Sequence, residues 1–96
     1  MYLKEKENLL SGKWIFKDGK VEEDSVSKRI NWLKDNYLIK IARDKTGWEI
    51  LYKDPNDGRY WELIYENSEL QGGGAPTLSF IRKEEAVLKY NITDMN

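Results

Sequence analysis

Apolar and polar residues alternate most regularly between Gly47 and Glu66, in the stretch GWEILYKDPNDGRYWELIYE. Two runs of period two flank Asp54-Pro55-Asn56-Asp57-Gly58. Those five residues supply a side-chain acceptor, a proline that pre-sets φ, two residues tolerant of bridge or left-handed conformations, and a glycine for positive φ. The pattern predicts a β-hairpin. With Pro55 to Gly58 as the loop and Asp54 facing Arg59, Tyr52 falls opposite Trp61, Ile50 opposite Leu63 and Trp48 opposite Tyr65, so six apolar side chains share one face. The other face sets Glu49, Leu51 and Lys53 against Tyr60, Glu62 and Ile64, a mixed set able to stay partly in water.

Upstream the period changes. Val26, Ile30, Leu33 and Tyr37 recur at i, i+4, i+7 and i+11, which predicts an amphipathic helix over about 24–36. Asp24 or Ser25 serves as its N-cap, and Asn36 as a left-handed C-terminal residue. Tyr37 to Arg43 then reads as a strand. A four-residue turn at Asp44–Gly47 sets Ile41 opposite Ile50 and Ile39 opposite Tyr52, continuing the apolar face across a third strand of a meander over 37–66. Trp14-Ile15-Phe16 and Val21, around Asp18-Gly19, predict a tiny hairpin; Thr77 to Ile81 predicts a further strand and Lys83 to Tyr90 a short, poorly capped helix. Residues 1–8 are charged and expected to fray. The fold class is therefore α+β, an antiparallel sheet of four or five strands packed on one amphipathic helix, in one domain spanning 1–96.

Composition narrows the chemistry. The chain of 96 residues has no cysteine and no histidine, which removes thiol nucleophiles, disulfides and zinc sites of the usual kind. Sixteen basic residues stand against 17 acidic ones, so no general field draws in nucleic acid or anionic lipid. No apolar run has the length of a signal peptide core or a membrane span, and a cytoplasmic location is expected.

Each candidate motif has a plain structural reading beside it. Gly72-Gly73-Gly74 resembles a phosphate nest, but without a following Gly-Lys-Ser/Thr or a helix it fits a closely packed or recognition loop better. Trp48, Tyr52, Trp61 and Tyr65 suit a base- or sugar-stacking platform, yet they occupy the positions that the helix must cover. The carboxylates Asp54, Asp57, Glu62, Glu66 and Glu69 fit turn chemistry and a solvated face, and together they form an acidic patch for a basic partner.

Several strings carry a resemblance. They are Leu10-Ser11-Gly12-Lys13-Trp14, Arg29-Ile30-Asn31-Trp32-Leu33, Gly47-Trp48-Glu49-Ile50-Leu51-Tyr52, the run from Asp54 to Glu62, and Gly72 to Leu78. Over roughly residues 9 to 90 the chain resembles the immunity protein 27 family, small bacterial proteins encoded beside polymorphic toxins. The resemblance implies a stoichiometric inhibitor of a cognate toxin from the adjacent gene, with no enzymatic activity and no cofactor or metal. Asp54, Asp57, Arg59, Glu62, Glu66, Glu69, Gly72, Gly73 and Gly74 are the expected partner-binding residues. A membrane partner is not expected, nucleic acid is disfavoured, and self-association stays open. The alternative is a small ligand- or nucleic-acid-binding module using an exposed aromatic sheet face.

Overall fold

A computed structural model describes residues 3–4, 6–65 and 75–92. The elements in chain order are β1 (Leu9–Ser11), β2 (Trp14–Lys17), β3 (Lys20–Glu23), α1 (Ser25–Asn36), β4 (Ile39–Arg43), β5 (Glu49–Lys53), β6 (Tyr60–Tyr65), β7 (Pro76–Ile81) and α2 (Lys83–Tyr90). Five strands make one antiparallel sheet in the order β1-β7-β6-β5-β4, and β2 pairs with β3 as a separate ribbon. The fold is α+β, as the patterning predicts.

The β5–β6 hairpin forms as its turn chemistry dictates. Ile50 pairs with Leu63 and Tyr52 with Trp61, while Asp54 N donates to Arg59 O at 2.8 Å and Gly58, at φ +77°, donates to Asp54 O at 2.8 Å. The expected third pair, Trp48 with Tyr65, is absent. The ladder stops at Glu49 and Ile64, and Trp48 is 60% exposed.

α1 lies on one face of the sheet. Asp24 caps it by accepting from Ser27 N at 2.7 Å, and Ile30 and Leu33 are fully buried against Tyr52, Trp61, Leu63, Leu78 and Leu10. Each fully buried side chain of this size contributes about 1.5–3 kcal/mol over its exposed state. Asn36 stays helical, and the cap is Tyr37 at φ −126° and ψ −51°, with Leu38 N donating to Leu33 O at 2.7 Å. On the opposite face, α2 covers Leu51, Tyr60 and Ile81 with Ala86 and Tyr90, so the side that looked partly wet has its own small core.

The expected register of β4 is corrected. Ile39 pairs with Lys53, Ala42 with Leu51 and Arg43 with Ile50, with a bulge between Lys40 and Ala42, so Ile39 shares the face of Lys53, Ile41 has no partner on β5, and both are exposed. The cause is Asp44. Its backbone N donates to Glu49 O at 2.9 Å while its carboxylate collects Gly47 N, Glu49 N and the Thr46 hydroxyl, which moves the loop to 45–48 and shifts the register by two next to the loop and by one beyond the bulge. Described residues before β1 also make contacts with the body. Leu3 is buried in the core, the Arg29 guanidinium binds both oxygens of Glu7 at 2.7 Å, and Arg59 donates to the carbonyls of Lys4 and Glu7.

Candidate partner-binding surface

Three of the expected contact residues lie together in the β5–β6 turn, and they do different work. Asp54 is buried, and one carboxylate oxygen accepts from Asn56 N at 2.7 Å and from the Tyr37 hydroxyl. That oxygen therefore shapes the turn and ties it to the end of α1. Burial, and then the bond to Asp54, push the Tyr37 hydroxyl up to about 12. Asp57 is exposed. Although desolvation pushes its carboxyl up, the backbone N–H and the guanidinium of Arg59 hold it below the ordinary value, with Arg59 Nε at 2.7 Å. Arg59 itself stacks 4.9 Å from the Trp61 ring centroid while holding the N-terminal carbonyls.

Glu62 sits on the other face of the sheet, beneath α2. Its carboxylate accepts from the Tyr90 hydroxyl at 2.8 Å and from Lys89 Nζ at 2.6 Å, and Lys89 also pairs with Glu49. Burial first, then the bond to Glu62, raise the Tyr90 hydroxyl above its ordinary value. This cluster docks α2 on the sheet. Glu66, Glu69, Gly72, Gly73 and Gly74 lie outside the described residues.

Strand direction separates the candidates. Antiparallel pairing gathers the ends of β1, β4 and β6 and the starts of β5 and β7 at one end of the sheet, the end from which the chain leaves Tyr65 toward Glu66. The Asp54–Arg59 turn lies at the other end of β6, whose six residues span about 20 Å. Asp57 and Arg59 are therefore adjacent, and the point where the chain departs toward Glu66 is a strand's length away.

A surface that the sequence reading did not single out lies at that departing end. The β2–β3 ribbon turns through Asp18 and Gly19, at φ +52° and +76°, the left-handed pair of a two-residue hairpin loop. Lys17 faces Lys20, Phe16 faces Val21 and Trp14 faces Glu23. Trp14, Phe16 and Val21 thus share one face, with Ile15 on the other, and their exposures are 45%, 77% and 64% for the face and 40% for Ile15. Hydrogen bonds among the described residues anchor the ribbon near its base: Asp24 N donates to Lys13 O, Gly12 N to Pro76 O at 2.8 Å, and Asn31 Nδ2 to Glu23 at 3.1 Å. One signal was available. Trp-Ile-Phe places consecutive apolar residues on both sides of a strand too short to be covered on both.

Among the described residues no group of three His, Cys, Asp or Glu side chains is placed to hold a metal ion, and no helix is long and apolar enough to cross a membrane. The fold and this surface define a small α+β protein whose charged turn residues are engaged with its own backbone and side chains while apolar side chains face outward. The model of the immunity protein 27 family matches residues 16–82, and the chain belongs to that family. No curated protein and no solved structure matches the chain.

Proposed function

We propose that this immunity protein binds a cognate bacterial toxin domain, encoded by the adjacent gene, and neutralises it in the cytoplasm by one-to-one occlusion rather than by catalysis. Membership of the immunity protein 27 family, matched over 16–82, carries the reading. The absence of histidine and cysteine from the sequence agrees with an inhibitor that works by contact. On the polar side we assign contact to Asp57 and Arg59, and to Glu66, Glu69 and Gly72–Gly74; Asp54 and Glu62, both buried, hold the turn and α2 in place.

Co-expression with the neighbouring toxin tests the reading. Rescue of growth and a one-to-one complex in size-exclusion chromatography are expected. Continued killing, with tryptophan fluorescence quenched by an oligonucleotide or a sugar instead, would replace the inhibitor with a stacking module built on the exposed Trp14 and Trp48.

A further inference from the structure

We propose that the β2–β3 ribbon is the apolar anchor of the toxin interface, with Trp14, Phe16 and Val21 inserting into a concave, apolar pocket of the toxin domain. The proposal rests on the immunity reading above and adds the surface that performs it.

The ribbon's own fold gives these side chains nothing to cover. Every residue of β2 and β3 except Glu23 is exposed, and Phe16 and Val21 are among the most exposed large apolar side chains described. Phe16 and Val21 face each other across the ladder, so the patch is contiguous. Among the described residues nothing covers the patch, and a contiguous apolar patch on a projecting element marks a contact site.

Charge and area choose the occupant. Charges of both signs border the patch: Glu23 lies on its face and Asp18 in its turn, Lys17, Lys20 and Glu22 lie on the opposite face beside Ile15, and Lys13 and Asp24 flank the strands in sequence. A nucleic acid needs a basic rim around its stacking aromatics. Interspersed charges of both signs around an aromatic centre are instead the rim and core of a protein–protein interface. A second copy of this chain is also disfavoured. The three side chains offer on the order of 300–400 Å², so two such faces meeting would bury well under the ~1,200 Å² at which stable interfaces begin. A larger partner that surrounds the ribbon reaches that area and turns Phe16 into a central anchor. The ribbon stands at the end of the sheet where β6 finishes at Tyr65, a strand's length from Asp57 and Arg59.

The test measures binding of the purified toxin domain from the adjacent gene, its activity abolished by mutation, to wild type, to F16S/V21S and to L88S, an exposed apolar control on α2. F16S/V21S is expected to keep its circular dichroism and melting temperature and to weaken binding by about 30-fold or more, with L88S unchanged. A photo-crosslinking benzoylphenylalanine at position 16 is expected to join the two proteins. Wild type and F16S/V21S binding within about threefold of each other, with no crosslink, would overturn the ribbon while leaving the immunity reading intact. Wild type that fails to bind the toxin overturns both. A change in self-association on F16S/V21S with toxin affinity kept, or loss of oligonucleotide binding with toxin affinity kept, gives the ribbon to another partner and overturns the inference.

Discussion

Arg29 holds Glu7 through two parallel hydrogen bonds of 2.7 Å, Nη1 to one carboxylate oxygen and Nη2 to the other, fastening the segment before β1 to α1. The bond from Arg29 draws the Glu7 carboxyl down to about 2 from an ordinary 4.5. A depressed carboxyl contributes stability that is complete above pH 4.5 and is lost as pH falls from there through about 2. Wild type is therefore expected to exceed Glu7→Gln by about 1–2 kcal/mol at pH 7, after allowance for a partly solvated pair, and to converge with it near pH 2. Urea unfolding across that range checks this; a constant gap would remove the ion pair as its cause.

The cluster under α2 makes unequal losses. Tyr90→Phe removes one donor and leaves Glu62 with Lys89, and about 1–2 kcal/mol of stability is expected to go. Glu62→Ala strands a buried hydroxyl and removes one of the two carboxylates that Lys89 contacts, for about 2–4 kcal/mol. Equal costs in chemical denaturation would contradict Glu62 as the centre of the cluster.

Gly12 has no room for a side chain. A Cβ there would overlap Ser27 Oγ and stand 2.8 Å from the Pro76 carbonyl oxygen, where β1, β7 and α1 meet. Gly12→Ala is expected to cost about 1–3 kcal/mol. Ser27→Gly in the same chain should recover part of that loss, because it clears one of the two clashes. Thermal melts of the two variants and their combination measure the coupling.

The ribbon can be loosened by itself. Gly19 sits at φ +76° in open space, so Gly19→Ala brings only backbone strain, about 1 kcal/mol. Faster amide exchange is expected over β2 and β3 alone, with protection in β6 and β7 unchanged. Loss of protection in the central strands would show that the ribbon and the sheet open as one unit.

The parts of this fold that sequence reveals are those where neighbouring signals agree. Tyr52 meets Trp61 because a five-residue turn and two alternating strands demand the same register, and α1 starts at Asp24 because cap and apolar stripe coincide. β4 was misplaced because one carboxylate, on Asp44, gathers the N–H groups of its loop and outweighs the apolar pattern of Ile39 and Ile41. The turn at Asp54, Asp57 and Arg59 was legible as a turn. That Asp54 and Arg59 are engaged with Tyr37, Trp61 and the N-terminal carbonyls depends on contacts distant in sequence, which spacing does not carry. The ribbon's exposure was half legible for a related reason: Trp14-Ile15-Phe16 puts apolar residues on both sides of a short strand, but which side stays open depends on contacts distant in sequence.

The two borders of the main sheet differ from the ribbon in what they offer an incoming strand. β1 presents three residues, too few to template a lasting ladder, and β4 is interrupted at Lys40–Ala42, so the spacing of its open N–H and C=O groups is broken. β2 and β3 are unbroken. Among the described residues, growth of the hydrogen-bonded network by a foreign chain is therefore hindered at both flanks of the main sheet, and the ribbon is the border whose backbone groups keep a regular spacing.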